Sequence, residues 1–183
     1  MKRLIDICLS LIAFLLLSPV IICVAVLVRF KLGSPMLFRQ TRPGLHGKPF
    51  KMMKFRTMLD AVDAQGNPLP DEVRLTSFGK LLRSTSLDEL PQFWNLALGD
   101  MSLIGPRPDL PQQVELYQSW EWAARNQVRP GITGLSQALL RSKATVSQRK
   151  RLDLFYASKA SFLLDVKIVI KTFQTLFGRD LQT

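Results

Sequence analysis

Between Leu4 and Val28 the chain is an almost unbroken apolar run of roughly 25 residues, enough for an α-helix to cross a bilayer core. No other feature restricts the fold as strongly, because so apolar a segment has to be covered by lipid or by much of a protein core. Two details argue against a simple span. Lys2 and Arg3 precede the run while Arg29, Lys31, Arg39 and Arg42 follow it, so the positive-inside rule places both ends on the cytoplasmic side. Ser18-Pro19 lies near the middle, where proline removes the N–H that would bond the Leu15 carbonyl and Ser18 can satisfy the freed group. The expectation is a bent, re-entrant membrane helix over residues 1–32, ahead of an ordinary spanning anchor. A signal peptide is disfavoured, since the run is too long and no small-residue cleavage site follows.

The rest, residues 33–183, suffices for one domain with a modest core. Lys and Arg number 25 against 14 acids, a net charge of +11 that calls for anionic partners: nucleic acid, nucleotide phosphates or acidic lipid headgroups. Charge alone does not choose among them. Cys8 and Cys23 both fall inside the apolar run, which gives neither a disulfide framework nor a metal spacing and suits cytosolic residence. His46 is the only histidine, so zinc sites and histidine-based triads lack their usual groups. Any metal would be a hard ion held by oxygen, Mg²⁺ first among them.

Local patterns give an α+β chain, mainly helical, with a small β-hairpin element. Met36 to Thr41 and Pro49 to Met58 read as extended segments joined by the turn-rich stretch Pro43 to Gly47, with Lys54 and Arg56 on one strand face. Asp60 to Pro70 reads as a surface loop. Thr76 is placed to cap a short helix turning Phe78, Leu81 and Leu82 inward. Val114, Tyr117, Trp120 and Ala124 have helical spacing, and Trp120 and Trp122 would suit a headgroup-level belt. Arg129 to Gly134, RPGITG, is a rigid glycine-containing loop of a kind that can offer backbone N–H groups to an anion. Thr145-x-x-Gln148 caps a helix with Arg149, Lys150 and Arg151 outward and Leu152, Phe155 and Tyr156 behind. A last helix, about Ser161 to Phe177 and ended by Gly178, is expected to bury Phe162, Val166, Val169, Phe173 and Phe177. Its Lys167 and Lys171 make a membrane-interface position an equal alternative.

The segment Ser84 to Pro108 carries the chemistry. Leu90, Phe93, Trp94, Ala97 and Leu98 follow the spacing of a helix with one buried face, and Gly99 stops it. Ser86 and Asp88 are both candidate N-caps, and Asp88 is preferred because it leaves Pro91 in the first turn. Asp88 and Glu89 then sit at the positive end of a helix dipole, which favours ionised carboxylates and attracts phosphate. Pro106 and Pro108 hold Arg107 with little backbone freedom, as a bidentate phosphate clamp needs. Asp88 as a plain helix cap is the bland alternative.

KFRTM at Lys54 to Met58, LDELPQ at Leu87 to Gln92, GDMSLIGPRP at Gly99 to Pro108 and RPGITG, behind a membrane segment holding Ser-Pro, form an ordered set. Together they resemble the monotopic phosphoglycosyl transferases of bacterial sugar-transferase type, over nearly the whole chain and at the length of the minimal members. The resemblance implies a re-entrant helix over 1–32 and a cytosolic catalytic domain over 33–183, with interfacial amphipathic helices around a helix-start active site. It implies transfer of a phosphosugar from a UDP-sugar to polyprenol (undecaprenyl) phosphate with release of UMP, the first membrane step of glycoconjugate assembly. The implied location is the cytoplasmic face of the bacterial inner membrane, among its lipids and without nucleic acid. In that family the dyad aspartate is the nucleophile, which matches Asp88, and the dyad glutamate, Glu89, helps hold Mg²⁺. Lys54 and Arg107 match basic residues near the transferring phosphates, and Ser18 and Pro19 match the helix-breaking pair. Asp153, Tyr156 and Asp165 fit later family positions without an assigned chemistry, and Leu135 to Gln148 departs from the pattern.

Two rivals remain at this level. In a membrane-anchored basic binding module Asp88 would only cap a helix, although a phosphate-backbone binder has no use for adjacent acids beside an arginine clamp. The same enzyme using a ternary complex, with Asp88 as base, is not separated by the residues.

Overall fold

The computed structural model describes residues 2–140 and 144–177, without the side chains of residues 176 and 177. Helices dominate, led by α1 (Lys2–Leu32), the one helix among the described residues long and apolar enough to cross a membrane. It stays helical through Pro19. The Ser18 hydroxyl donates to the Leu15 carbonyl at 2.7 Å, replacing the bond that proline cannot make, as the sequence predicts.

The chain forms two compact units, one from Leu11–Gln40 and Met52–Asn95, the other from Met1–Ser10, Thr41–Lys51 and Leu96–Thr183, so α1 contributes to both. In the first, Val24, Val28 and Leu32 of α1 form a core with Phe55 and Leu82. The predicted hairpin is present as β1 (Leu37–Pro43) paired with β2 (Pro49–Phe55). Past β2 the chain turns Arg56 away from the face it was expected to share with Lys54. Its guanidinium donates to the Leu32 carbonyl that ends α1, to Ser34 O at 3.0 Å and to Asp60 at 2.7 Å. Arg56 is therefore a buried helix-end cap.

Two short helices follow, α2 (Asp71–Arg74) and α3 (Ser77–Ser84), and Thr76 caps α3 by accepting from Gly79 N at 3.0 Å. A Cβ on Gly79 would lie 1.9 Å from the Thr57 carbonyl, so only glycine lets α3 settle against the end of β2. Leu82 is buried with Phe78 beside it, but Leu81 faces out, because two turns offer the core a stripe one residue wide.

In the second unit β3 (Ser102–Ile104) and β4 (Gly131–Thr133) pair in parallel, Ser102 opposite Gly131 and Ile104 opposite Thr133. Around them lie α5 (Ser119–Arg125), α6 (Leu135–Leu140), α7 (Val146–Lys159) and α8 (Phe162–Phe177). Ile104, Ala138, Tyr156 and Ile168 form the core. The first turns of α1 are pinned here. Lys2 reaches Asp165, Tyr156 Oη at 3.0 Å and Ile104 O at 3.3 Å, while Asp6 accepts from Ser102 Oγ at 2.8 Å and Leu103 N at 3.2 Å.

Several expectations are corrected in this unit. The helical spacing of Val114, Tyr117, Trp120 and Ala124 runs through two elements, a 3-10 turn Pro111–Leu116 and then α5, because the extended backbone of Tyr117 and Gln118 separates them. The predicted Thr145 and Gln148 cap of α7 is present, and Tyr156 is buried, but Phe155 is exposed and Asp153 takes the inner position. On α8 the face expected inside is outside: Phe162 and Phe173 are exposed, and Ile168 and Asp165 are buried instead. Gly178 and the side chain of Phe177 lie outside what is described. The apolar residues of this helix cover more than one face between its lysines, so spacing alone does not identify which of them are buried.

Candidate active site

The site segment begins where α3 ends. Ser86 takes a left-handed backbone, φ 58°, and makes no side-chain cap, and Leu87–Glu89 form a 3-10 turn. α4 (Gln92–Leu98) starts a full turn later than expected. Asp88 is therefore no N-cap. The bonds Glu89 N to Ser86 O, Phe93 N to Leu90 O and Trp94 N to Pro91 O all span three residues. Pro91 has no N–H for the Leu87 carbonyl, so the first turn closes on this tighter pattern. Gly99, φ 97°, ends α4 as predicted. The apolar stripe expected to be buried is partly turned out, with Trp94 and Leu98 exposed, while Gln92, Asn95 and Leu96 face inward.

Three of the expected site residues come together in the first unit. Asp88 is buried, and Lys54 on β2 donates to Glu89 Oε1 at 2.7 Å. Burial raises the Asp88 carboxyl above its ordinary range, against the lowering fields of Lys54 and Arg83 and with the raising field of Glu89. The expectation that a helix dipole holds Asp88 ionised is thus replaced by a contest between desolvation and two cations. Arg83 is fixed by donating Nε to Thr57 Oγ1 at 3.0 Å. The sequence marks its place before the dyad without showing its role, since α3 delivers it only through the close contact at Gly79.

Arg107 lies in the second unit, half-buried between the buried Pro106 and Pro108. Its carbonyl accepts from Arg125 Nη2 at 2.6 Å, and that of Pro108 from Arg42 at 3.1 Å. Arg125 is 2% exposed and bonded to Asp153 at 3.0 Å, with Asp109 at 3.2 Å. Ser136 and Tyr117 complete the network through Asp153 and Asp109. Burial raises Asp153, opposed by the Arg125 charge. This network, invisible in the sequence because its members lie far apart, holds the backbone under Arg107.

The glycine loop serves packing. Gly131 N donates to Pro106 O at 2.9 Å and Gly105 N to Thr133 O at 2.9 Å, so these N–H groups bond backbone and do not offer themselves to an anion. A Cβ on Gly134 would meet the Gly105 carbonyl at 2.1 Å. Asp165 and Tyr156 likewise anchor Lys2.

Among the described residues no group of three or more His, Cys, Asp or Glu side chains could enclose a metal. Mg²⁺ seldom needs such a cage, because it keeps waters and binds one or two carboxylates together with substrate phosphates. The half-buried Glu89 carboxylate, beside Asp88, fits that mode.

The family model described as bacterial sugar transferase matches residues 1–179. An uncharacterized sugar transferase, EpsL, of Bacillus subtilis is 47% identical over 94% of this chain and 85% of its own length. A UDP-glucose:undecaprenyl-phosphate glucose-1-phosphate transferase of Caulobacter vibrioides is 39% identical over 98% of this chain and 70% of its own length. A UDP-N-acetylgalactosamine-undecaprenyl-phosphate N-acetylgalactosaminephosphotransferase of Aeromonas hydrophila is 36% identical over 96% of this chain, which spans 43% of that longer protein.

Proposed function

This chain belongs to the bacterial sugar transferase family and is a phosphoglycosyl transferase; we propose that it moves a phosphosugar from a UDP-sugar to undecaprenyl phosphate through a covalent intermediate on Asp88. The observation that carries the reading is a buried carboxylate, made more basic by desolvation, opposite Lys54 and beside Glu89. A carboxylate with a raised pKa is a better nucleophile once ionised, and the neighbouring cations keep that form within reach.

In the first half-reaction the Asp88 carboxylate attacks the sugar-bearing phosphorus of the UDP-sugar. The bond from that phosphorus to the bridging oxygen breaks, and UMP leaves with the electron pair. In the second, a phosphate oxygen of undecaprenyl phosphate attacks the same phosphorus, and Asp88 departs as a free carboxylate. Lys54 and Arg83 balance charge around Asp88 within the first unit, and the proposed role of Arg107, a guanidinium for a phosphate, rests on its match to the family motif. Mg²⁺, held by Glu89, would neutralise diphosphate oxygens.

The proposed location is supported by α1, whose first turns are bonded to residues from 96 onward and whose last turns pack on Phe55 and Leu82. A helix tied at both ends to the chain that follows it fits a monotopic, re-entrant placement on the cytoplasmic face of the inner membrane. The exposed apolar residues of α4 and α8 fit helices lying in the interface.

The test is incubation with UDP-sugar and Mg²⁺ but no polyprenol phosphate. Up to about one equivalent of UMP is expected, with a phosphosugar adduct on the Asp88 peptide, both lost in Asp88→Asn. UMP release only with polyprenol phosphate present, and no adduct, would instead make Asp88 the base of a ternary complex. Full turnover by Asp88→Asn would leave it no catalytic role.

A further inference from the structure

Within the first unit an apolar cavity of about 370 Å³ opens between the middle of α1, the hairpin and the start of α4. Phe14 and Ile21 of α1, Phe55 of β2, and Pro91 and Trp94 line it, and Arg39 is the only ionisable residue in the lining. Phe14 and Trp94 face each other with ring centroids 6.1 Å apart. Pro91 is buried, lies in the turn between the 3-10 stretch Leu87–Glu89 and α4, and is three residues from Asp88, so the groove begins one turn of chain away from that carboxylate. The far wall of the groove is α1, the helix long and apolar enough to cross a membrane.

We propose that this groove is the acceptor-lipid subsite, receiving the isoprene units nearest the phosphate of a polyprenol phosphate; the assignment rests on the transferase reading above. Three observations select this occupant. The walls are apolar with one exposed cation at Arg39, matching an amphiphile with one anionic head and a hydrocarbon chain. The wall formed by α1 lets such a chain enter from the acyl layer without crossing water. Pro91 in the lining is three residues from Asp88, where the lipid phosphate has to arrive in the proposed reaction. A cavity of this size, at the small end of ligand clefts, takes a few isoprenes and leaves the rest of the chain in the bilayer.

The full chain in vesicles of phosphatidylethanolamine and phosphatidylglycerol is tested with a polyprenol phosphate carrying a photoreactive diazirine on its first isoprenes. Labelling is expected on peptides holding Pro91 to Trp94 or Phe14 to Ile21, competed by unlabelled polyprenol phosphate and not by excess phosphatidylglycerol. Ile21→Trp, which fills the groove, and Trp94→Ala, which opens it, should raise KM for polyprenol phosphate about fivefold or more. UMP release in the acceptor-free half-reaction should change less than twofold. Labelling elsewhere, competition by phosphatidylglycerol alone, or an unchanged acceptor KM in both variants would overturn the subsite. Failure of wild-type protein to release UMP from any UDP-sugar would instead remove the transferase reading on which it stands.

Discussion

Replacing Lys54 with methionine separates the structural and chemical work of one side chain. Its Nζ is 2.7 Å from Glu89 Oε1, and the two side chains are only 18% and 17% exposed. An exposed pair contributes about 0–1 kcal/mol and breaking a fully buried one costs about 3–5 kcal/mol, so the expected loss here is about 2 kcal/mol. The chemical effect adds to this. Lys54 lowers the Asp88 pKa against a larger desolvation effect, so its removal moves that pKa further up. Because Asp88 in its proposed role as nucleophile has to be deprotonated, the acid limb of single-turnover UMP release should shift to higher pH. Loss of a cation near the transferring phosphate should also lower the plateau rate by about 10²-fold or more. Denaturant unfolding in detergent and rapid-quench UMP release read the two effects separately. Lys54→Met with Glu89→Gln removes the unpaired charge, and should regain stability while leaving the rate low. An unmoved acid limb together with a stability loss below about 0.5 kcal/mol would refute the assigned electrostatics.

The raised Asp88 pKa also sets a pH dependence of stability. The folded state holds the proton more tightly than the unfolded chain, so this contribution is complete below the ordinary carboxyl range and is lost as pH rises through the folded pKa; Asp88→Asn should flatten that slope in unfolding titrations. Arg125→Met strands Asp153 and Asp109 and should cost about 3–5 kcal/mol, seen as a Tm about 10 °C lower. Gly134→Ala drives a methyl into the Gly105 carbonyl and should destabilise by about 1–3 kcal/mol or more, with loss of the Arg107-dependent rate on the same unfolding and turnover assays. A cysteine added ahead of Lys2 should resist impermeant reagent in intact cells and react after lysis. Pro19→Leu should let some molecules span and label from outside.

What could be read from the sequence alone is whatever depends on neighbours along the chain. The apolar length of α1, the Ser18 and Leu15 repair at Pro19, the hairpin, the caps at Thr76 and Thr145 and the stop at Gly99 all rest on contacts a few residues apart. The ordered motifs also singled out Lys54, Asp88, Glu89 and Arg107 as candidates, because short signatures are read along the chain in linear order. Tertiary structure decided what depends on distant partners. Arg56 became the end cap of α1, and Arg125, Asp109 and Asp153 joined across 44 residues of chain, from 109 to 153, under Arg107. The Asp88 pKa turned on burial that no local pattern reports. The outward faces of α4 and α8 were misjudged for a further physical reason. Spacing shows that an apolar stripe will leave water, and whether it turns to a protein core or to a membrane is fixed only by where the other elements pack.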